Sequence, residues 1–259
     1  MSGASVFRAA LARDAGPALG TWVKIPAMEA MELVALAGFD FAVIDLEHSP
    51  MDLETAYRLI GVARFRGVSP IVRVPGLDGG IAQRVLDAGA EGVMVPHVDT
   101  VEEATAAVSA TRFPPLGERG VGATGRAGAW GAVPRDEYLR YGREEVVVIA
   151  QIESATGVRN AAAIASVEGI DALLVGTADL SVSEGRTESD PVVAELVGLA
   201  VEGGRRAGVP VGNAGGASAA AVRASIDAGF GFTLLSNDAT LLGAAARAAV
   251  EAARAEIDG

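Results

Sequence analysis

A local pattern that recurs along the chain constrains its fold more than any other feature of the sequence. A helix-like stretch ends at or near a glycine, and an apolar strand-like run follows within a few residues. The pattern occurs at residues 36–44, 87–95 and 227–235, and in a looser form at 167–175. Glycine readily adopts the left-handed conformation that ends many helices. Repeated helix–glycine–strand units predict alternating strands and helices, and therefore a parallel sheet.

Eight strand–helix units fit the 259 residues of the chain. Strands are predicted near 18–24, 41–46, 70–74, 92–96, 146–153, 172–176, 209–213 and 231–236. Helices are predicted near 28–37, 52–66, 79–88, 100–110, 155–165, 190–207, 217–228 and 238–256. Eight such units in roughly 250 residues are typical of a (β/α)8 barrel, also called a TIM barrel. No Gly-x-Gly-x-x-Gly follows the first strand, which disfavours a dinucleotide-binding fold. No linker divides the chain, so residues 1–259 are predicted to form one catalytic domain.

Composition excludes several classes of protein. Half of the residues are hydrophobic, but no apolar run approaches the roughly 18 residues that a membrane span needs. The net charge of −12, without a basic stretch, argues against a nucleic-acid partner. No cysteine is present, which excludes disulfides, thiol nucleophiles and thiolate zinc sites. The N-terminus shows no apolar signal core, and residues 5–15 are interpreted as an ordinary first helix. We therefore expect a cytoplasmic protein.

Two predicted strands lead directly into carboxylates. The apolar run 146–153 ends at Glu153, and the run 172–179 ends at Asp179. Because the strands of a barrel converge at their carboxyl ends, the two acids are expected to face one point. Carboxylate oxygens suit a hard divalent cation such as Mg2+ or Mn2+. The alternative interpretation is that both are solvated loop acids that cap the helices after them.

Further candidates close the second and third strands. A free imidazole titrates near neutrality, so a histidine at this position, His48, is a candidate general base, although the ring could equally cap a helix. Asp45 lies three residues earlier and could orient that ring. Arg73 stays charged and donates in a fork, so it is expected to pair with a substrate oxygen or with a structural carboxylate.

Two more features bear on a possible site. Lys24 is the only lysine, so any Schiff-base mechanism would have to use it. No neighbouring residue indicates an activated amine, and the sequence favours a surface lysine. The glycine-rich segment 113–145 breaks the strand–helix rhythm. It comes after the fourth strand, so we expect it on the C-terminal face, where barrel enzymes keep their active sites.

Six motifs occur together in an order that resembles one enzyme family. They are Asp-Leu-Glu-His-Ser-Pro (45–50), Val-Arg-Val-Pro (72–75), Gly-Val-Met-Val-Pro (92–96), Gly-Glu-Arg-Gly-Val-Gly (117–122), Gln-Ile-Glu-Ser (151–154) and Gly-Thr-Ala-Asp-Leu-Ser (176–181). The chain resembles the HpcH/HpaI class II pyruvate aldolases, which include 4-hydroxy-2-oxoheptanedioate aldolase and 2-dehydro-3-deoxyglucarate aldolase. The resemblance extends from Phe7 to Ile257, which is nearly the whole chain.

The resemblance implies a (β/α)8 barrel whose last helix is exchanged between subunits, in a homohexamer built as a trimer of dimers. It implies a divalent cation, Mg2+, Mn2+ or Co2+, held by Glu153 and Asp179. Gln151 and the backbone amides of Ala178 and Asp179 would hold the carboxylate of pyruvate. The implied small-molecule partners are therefore a 2-oxo acid and an aldehyde.

The resemblance also implies how the reaction runs. The cation and Arg73 would stabilise the enolate that develops at the keto oxygen. His48, directly or through a water, would take the proton from the C4 hydroxyl while the C3–C4 bond breaks. Asp45 would hold the His48 ring in the useful tautomer. The products are an aldehyde and pyruvate, and no lysine takes part.

Three features depart from the family's pattern. Thr177 stands where many relatives have proline, His97 stands where an apolar residue is commoner, and residues 212–216 are unusually open. These departures leave the metal ligands intact and bear on the aldehyde partner.

Two alternative functions stay open. The first is a CoA-thioester lyase of the malyl-CoA or citryl-CoA type, for which the acidic chain shows no obvious basic patch. The second is a catalytically silent barrel that binds a 2-oxo acid. The presence of Glu153, Asp179, His48 and Arg73 disfavours this silent barrel.

Overall fold

Eight parallel strands form a closed barrel in a computed structural model that describes residues 4–13, 16–77 and 79–258, without the side chain of Asp258. The strands follow one another in sequence order, and the last pairs with the first. They are β1 Ala18–Val23, β2 Phe41–Asp45, β3 Ser69–Arg73, β4 Gly92–Val95, β5 Val147–Ile152, β6 Ala172–Val175, β7 Val211–Gly215 and β8 Phe232–Asn237. The predicted (β/α)8 fold is confirmed.

Helices surround the barrel. They are α1 Val6–Leu11, α2 Met28–Leu36, α3 Leu53–Arg66, α4 Gly79–Asp87, α5 Val101–Thr111, α6 Arg135–Glu144, α7 Ala155–Ala165, α8 Thr177–Ser183, α9 Pro191–Ala207, α10 Ala219–Asp227 and α11 Asp238–Asp258. The eight helices predicted to follow strands begin within two residues of their predicted positions, whereas α6 and α8 were not predicted. The glycines of the recurring pattern, Gly38, Gly89, Gly169 and Gly229, all have positive φ angles, between 82° and 101°. Left-handed glycines therefore do end the helical stretches from which the barrel was predicted.

Helix α1 closes the amino-terminal end of the barrel. The ring of its fully buried Phe7 lies 5.0 Å from the ring of Phe41 and 5.3 Å from that of Phe232, both edge to face. Gly212 leaves space for this cluster, because a Cβ there would lie 2.2 Å from Phe232 Cε2. The expectation of an ordinary first helix is confirmed for residues 6–11, while residues 14 and 15 lie outside the described residues. Any opening into the barrel interior is therefore at the other end.

The glycine-rich segment 113–145 does not lie where it was expected. It follows helix α5, so it lies on the amino-terminal side of the barrel rather than on the C-terminal face. Within it, Arg119 Nη2 lies 2.7 Å from Asp87 Oδ1 at the carboxyl end of α4. Arg126 Nη1 donates to the carbonyl oxygen of Ala88 at 3.3 Å. The prediction was wrong because the helix between β4 and the segment returns the chain to the opposite end of the barrel.

Helix α11 differs from the other long helices in its packing. Among its described side chains, that of its first residue, Asp238, is the only buried one, and nearly all the others are exposed. The exposed residues include apolar ones, of which Leu242 is 63% exposed and Val250 is 54% exposed. The apolar side chains of α11 are therefore accessible to other molecules.

None of the helices in the described part of the chain combines the length and apolar character that a bilayer crossing requires.

Candidate active site

The carboxyl ends of the strands bring the sequence-predicted residues to one mouth. Side chains alternate between the two faces of a strand, and those that point inward form the barrel core. On β5 the core residues Val147 and Ile149 are followed, at the same spacing, by Gln151 and Glu153. The alternation therefore places both polar side chains at the open end of the barrel.

Asp45 and Arg73 form a buried ion pair at the ends of β2 and β3, where the two residues are paired in register. Arg73 Nε donates to Asp45 Oδ1 at 3.0 Å, and Nη2 donates to Oδ2 at 2.7 Å. The guanidinium carbon lies 4.2 Å from the ring centroid of Trp22. Burial acts to raise the pKa of Asp45, but the hydrogen bonds and charge of Arg73, with the His48 N–H and Lys24, lower it to about 2. Asp45 is therefore ionised, and it holds Arg73 in one orientation.

The relation between Asp45 and His48 differs from the expected one. Asp45 Oδ1 accepts from the backbone N–H of His48 at 3.1 Å and from that of Glu47 at 3.1 Å. The His48 ring is 57% exposed at the mouth, with Nε2 3.8 Å from Glu47 Oε2. The expectation that Asp45 orients the His48 ring is corrected, because its carboxylate is occupied by Arg73, Lys24 and two backbone N–H groups.

Lys24 also lies at the mouth, although the sequence favoured a surface position. Its Nζ is 3.1 Å from Asp45 Oδ2, and its side chain is 30% exposed. The alternation along β1 explains the location, since Trp22 belongs to the inner core and Lys24 follows two residues later. The same spacing could have revealed this residue from the sequence.

Glu47 is a second residue to which sequence reasoning gave no role. Its side chain is mostly buried, with Oε2 3.0 Å from Arg73 Nη1 and Oε1 3.1 Å from His97 Nε2. It follows Asp45 at the inward spacing of two residues, which is the signal that could have identified it. Arg73 is therefore held by two carboxylates.

Glu153 and Asp179 lie together on the other side of the mouth. Glu153 is buried, and its Oε1 has no hydrogen-bond partner among the described residues. Burial first, and then the neighbouring Asp179 and Glu47 carboxylates, raise the pKa of Glu153 to about 7, although His97 opposes the shift. Gly176 makes room for the side chain, because a Cβ there would lie 2.8 Å from Glu153 Cγ. The predicted pair is thus brought together in a setting that disfavours negative charge.

These two acids are suited to a cation. Among the described residues, no group of three or more His, Cys, Asp or Glu side chains is close enough to hold a metal ion. The donor set is therefore a pair of carboxylates, which leaves most positions around a hard divalent ion to water or substrate. A buried carboxylate oxygen without a partner is costly, and a bound cation would remove that cost. The unpartnered Glu153 Oε1 fits such a cation.

Polar groups next to the acids are also available to a ligand. Gln151 is buried, and in the described structure its Oε1 has no hydrogen-bond partner. Ala178 and Asp179 lie in the first turn of α8, and both are exposed. Backbone N–H groups in the first turn of a helix have no acceptor within that helix. The arrangement can donate hydrogen bonds to a small anion.

The three positions that depart from the family's pattern, His97, Thr177 and residues 212–216, differ in their surroundings. His97 has a φ of 55°, which is rare for a residue with a side chain, and its ring is 64% exposed. Its Nδ1 lies 3.6 Å from Glu153 Oε2 and its Nε2 lies 3.1 Å from Glu47 Oε1, so the ring lies between these two acids. Thr177 is the first residue of α8. In the open segment 212–216, Asn213 Nδ2 donates to Ser225 Oγ at 3.1 Å.

Comparisons with known proteins identify the family of the chain. A family model described as HpcH/HpaI aldolase/citrate lyase matches residues 19–255. The 4-hydroxy-2-oxovalerate aldolase of Novosphingobium aromaticivorans is 45% identical over 185 residues, which cover 69% of this chain and 67% of that protein. The hydroxypyruvate/pyruvate aldolase of Deinococcus radiodurans is 38% identical over 247 residues, which cover 94% of this chain and 87% of that protein.

Solved structures give the same assignment. A HpcH/HpaI aldolase/citrate lyase family protein from Burkholderia cenocepacia J2315 is 35% identical with a TM-score of 0.88, and the match covers 95% of this chain and 98% of that one. A citrate lyase β subunit from M. tuberculosis is 17% identical with a TM-score of 0.57, which shows a shared fold alone. Because the family model covers most of the residues, the chain belongs to the HpcH/HpaI aldolase/citrate lyase family.

Proposed function

We propose that the protein is a metal-dependent class II aldolase, a carbon–carbon lyase. It reversibly cleaves a 4-hydroxy-2-oxo acid into pyruvate, or a related 2-oxo acid, and an aldehyde. The observation that carries the proposal is the buried, unpartnered oxygen of Glu153 beside Asp179, at the same mouth as the fixed guanidinium of Arg73. One side of the site suits a cation, and the other suits the oxygen of an anion.

The groups on the acidic side would bind the 2-oxo acid. A divalent cation, Mg2+, Mn2+ or Co2+, held by Glu153 and Asp179 would supply Lewis-acid polarisation of the substrate carbonyl. The side-chain amide of Gln151 and the backbone N–H groups of Ala178 and Asp179 would donate to the substrate carboxylate. The position of buried Gln151, two residues before Glu153 on the inward-facing side of β5, supports this binding mode.

The groups on the basic side would carry the bond-breaking step. His48 accepts the proton of the C4 hydroxyl, and the electrons of that O–H bond form the aldehyde carbonyl. The electron pair of the C3–C4 bond moves into the enolate of the 2-oxo acid, and Arg73 donates to the developing enolate oxygen. Protonation at C3 by solvent then gives pyruvate, while His48 releases the proton it took from the hydroxyl to solvent, so that no net proton is gained or lost. Condensation follows the same steps in reverse.

The proposal includes an assembly and a location. The exposed apolar face of α11, with Leu242 and Val250, supports exchange of this helix between subunits of a homohexamer arranged as a trimer of dimers. A cytoplasmic location is supported by the acidic, cysteine-free composition. Size-exclusion chromatography with light scattering tests the assembly, and a monomer would contradict it.

Deuterium exchange at C3 of pyruvate, followed by NMR, is the direct test. Samples with EDTA and samples with Mn2+ or Mg2+ are compared. Exchange is expected only with metal, because the cation stabilises the enolate. The aldehyde need not be known for this test, since enolate formation is common to every choice of aldehyde. Exchange in EDTA would point to the amine of Lys24 instead. No exchange in either sample would contradict the aldolase, and cleavage of a malyl-CoA thioester would then identify a CoA-dependent lyase.

A further inference from the structure

Lys24 is held in a defined position at the barrel mouth, although nothing in the proposed chemistry requires an amine. Its Nζ lies 3.1 Å from Asp45 Oδ2. Its backbone N–H donates to Asp238 Oδ1 at 2.9 Å, and the next N–H, of Ile25, donates to Asp238 Oδ2 at 3.0 Å. Both the side chain and the backbone of the only lysine are therefore anchored by buried carboxylates.

The charges around Arg73 give Lys24 a function. Arg73 contacts two carboxylates, Asp45 and Glu47, so these three residues together carry one negative charge. Lys24 brings the cluster to neutrality. Without it, a 2-oxo acid, which is itself an anion, would meet a net negative cluster at the group that is to stabilise its enolate. Repulsion of this kind weakens binding and disfavours a transition state in which more negative charge develops.

We propose that Lys24 is a positioning residue that makes Arg73 available to the substrate, an inference that rests on the proposed function. Asp45 Oδ2 is shared between Arg73 Nη2, at 2.7 Å, and Lys24 Nζ, at 3.1 Å. The ammonium offsets part of the Asp45 charge, so the field of the guanidinium is less fully cancelled at the barrel mouth. Lys24 acts through Asp45 and forms no bond to the substrate.

Charge and shape can be separated with two substitutions. Lys24→Met keeps the aliphatic stem and removes the charge, whereas Lys24→Arg keeps the charge. For metal-dependent exchange of pyruvate, Lys24→Met should lower kcat/KM by roughly 10- to 50-fold, as a unit charge acts over several ångströms in a partly screened site. Lys24→Arg should stay within about three-fold of the wild type. Arg58→Met, which removes a charge from an exposed position on α3, should leave kcat/KM unchanged.

Anion binding provides a readout that a purely structural role would not change in the same way. Pyruvate carries one negative charge, whereas oxalate carries two and resembles the enolate. Calorimetry in the presence of Mn2+ should therefore show a larger loss of oxalate affinity than of pyruvate affinity in Lys24→Met. Thermal unfolding of each variant establishes that it is folded, and Lys24→Gln serves as a second neutral variant.

The possible outcomes are distinct. Equal kcat/KM in Lys24→Met and the wild type would overturn the inference. A loss in Lys24→Arg as large as that in Lys24→Met would also overturn it, because charge would not be the property that matters. Equal losses of oxalate and pyruvate affinity would have the same consequence. Absence of exchange in the wild-type protein with metal would contradict the proposed function itself, and the inference would fall with it.

Discussion

Two buried carboxylates at the same barrel mouth have opposite electrostatic settings. Asp45 accepts hydrogen bonds from Arg73 and from two backbone N–H groups and pairs with Lys24, and these partners lower its pKa to about 2. Glu153 is buried beside Asp179 with one oxygen unpartnered in the described structure, and its pKa is raised to about 7. The first carboxylate is already neutralised by the protein, and the second is not.

This difference separates a structural acid from an acid prepared for a ligand. A carboxylate whose partners are built into the fold stabilises it and fixes the groups around it. A buried carboxylate that lacks such partners costs free energy until a proton or a cation arrives. Asp45 therefore fixes Arg73, whereas Glu153, together with Asp179, is suited to bind a cation.

Removal of the charge of Glu153 should have the largest effect on catalysis. We expect Glu153→Gln to lower metal-dependent pyruvate exchange by roughly 10³-fold or more, because the several kcal/mol supplied by a Lewis acid would be lost. The fold should remain, since the amide has the same shape and no buried charge. Exchange kinetics measure the rate of pyruvate exchange, and calorimetry with Mn2+ measures the affinity for the metal. Asp179→Asn is the matched variant, and undiminished metal binding in both would rule out the metal assignment.

Removal of the His48 ring should affect chemistry without affecting the cation. His48→Ala should slow aldol cleavage by roughly 10²–10⁴-fold if the ring is the general base. Its affinity for Mn2+ should stay near that of the wild type, because the His48 ring does not contact the acid pair. Arg58→Ala, at an exposed position on α3, is the control and should leave the cleavage rate and the Mn2+ affinity unchanged. A loss below about ten-fold in His48→Ala would leave it a structural residue only.

Substitution of Asp45 tests the other side of the comparison. Asp45→Asn removes one of the two carboxylates that pair with buried Arg73 and leaves Glu47. The free energy of unfolding should therefore fall by about 3 kcal/mol, the lower end of the cost of breaking a buried pair. Urea denaturation measures this change. Glu54→Gln, in an exposed pair with Arg58, is the control and should cost less than about 1 kcal/mol. Similar losses in the two variants would mean that the buried pair contributes no more than a surface pair.

Much of this fold could be predicted from the sequence because its signals are local. Apolar runs and left-handed glycines located all eight strands to within two residues of their observed bounds. The largest error is at β7, predicted at 209–213 and observed at Val211–Gly215. Pro210 has no N–H for a ladder hydrogen bond, so the strand begins after it.

The site was less accessible to sequence reasoning because its contacts join distant segments. The acid pair and Arg73 were recognised by their positions after buried strands. Lys24 was assigned to the surface and Glu47 was given no role, because the alternation of inward-facing side chains was not extended past the ends of the predicted strands. The location of segment 113–145 was also missed, since it depends on which end of the barrel the chain has reached. Helix α8, which carries Asp179, is too short to give a periodic signal.

The smallest expected effect is on the pH dependence of stability, where the two carboxylates should act in opposite directions. Glu153 has an ordinary pKa of 4.5 and a folded-state pKa of about 7, so between these values the folded protein binds more protons. Its contribution to the free energy of unfolding should therefore fall, by about 1–3 kcal/mol, as pH rises from 4.5 to 7 in EDTA. Asp45 has a pKa lowered from 3.8 to about 2, so its contribution is lost as pH falls through that range. Urea denaturation across the pH range measures both.

Addition of metal and substitution of each acid separate the contributions of Glu153 and Asp45 to the pH dependence of stability. Mn2+ competes with the proton on Glu153, so its stabilising effect should increase from pH 5 to pH 7. In Glu153→Gln the decline between pH 4.5 and 7 should be absent, while the loss of stability below pH 3.8 should persist, because Asp45 is untouched. In Asp45→Asn the loss of stability below pH 3.8 should be absent, while the decline between pH 4.5 and 7 should persist. A decline between pH 4.5 and 7 that persists in Glu153→Gln would assign it to another group, and the contrast between the two carboxylates would then fail.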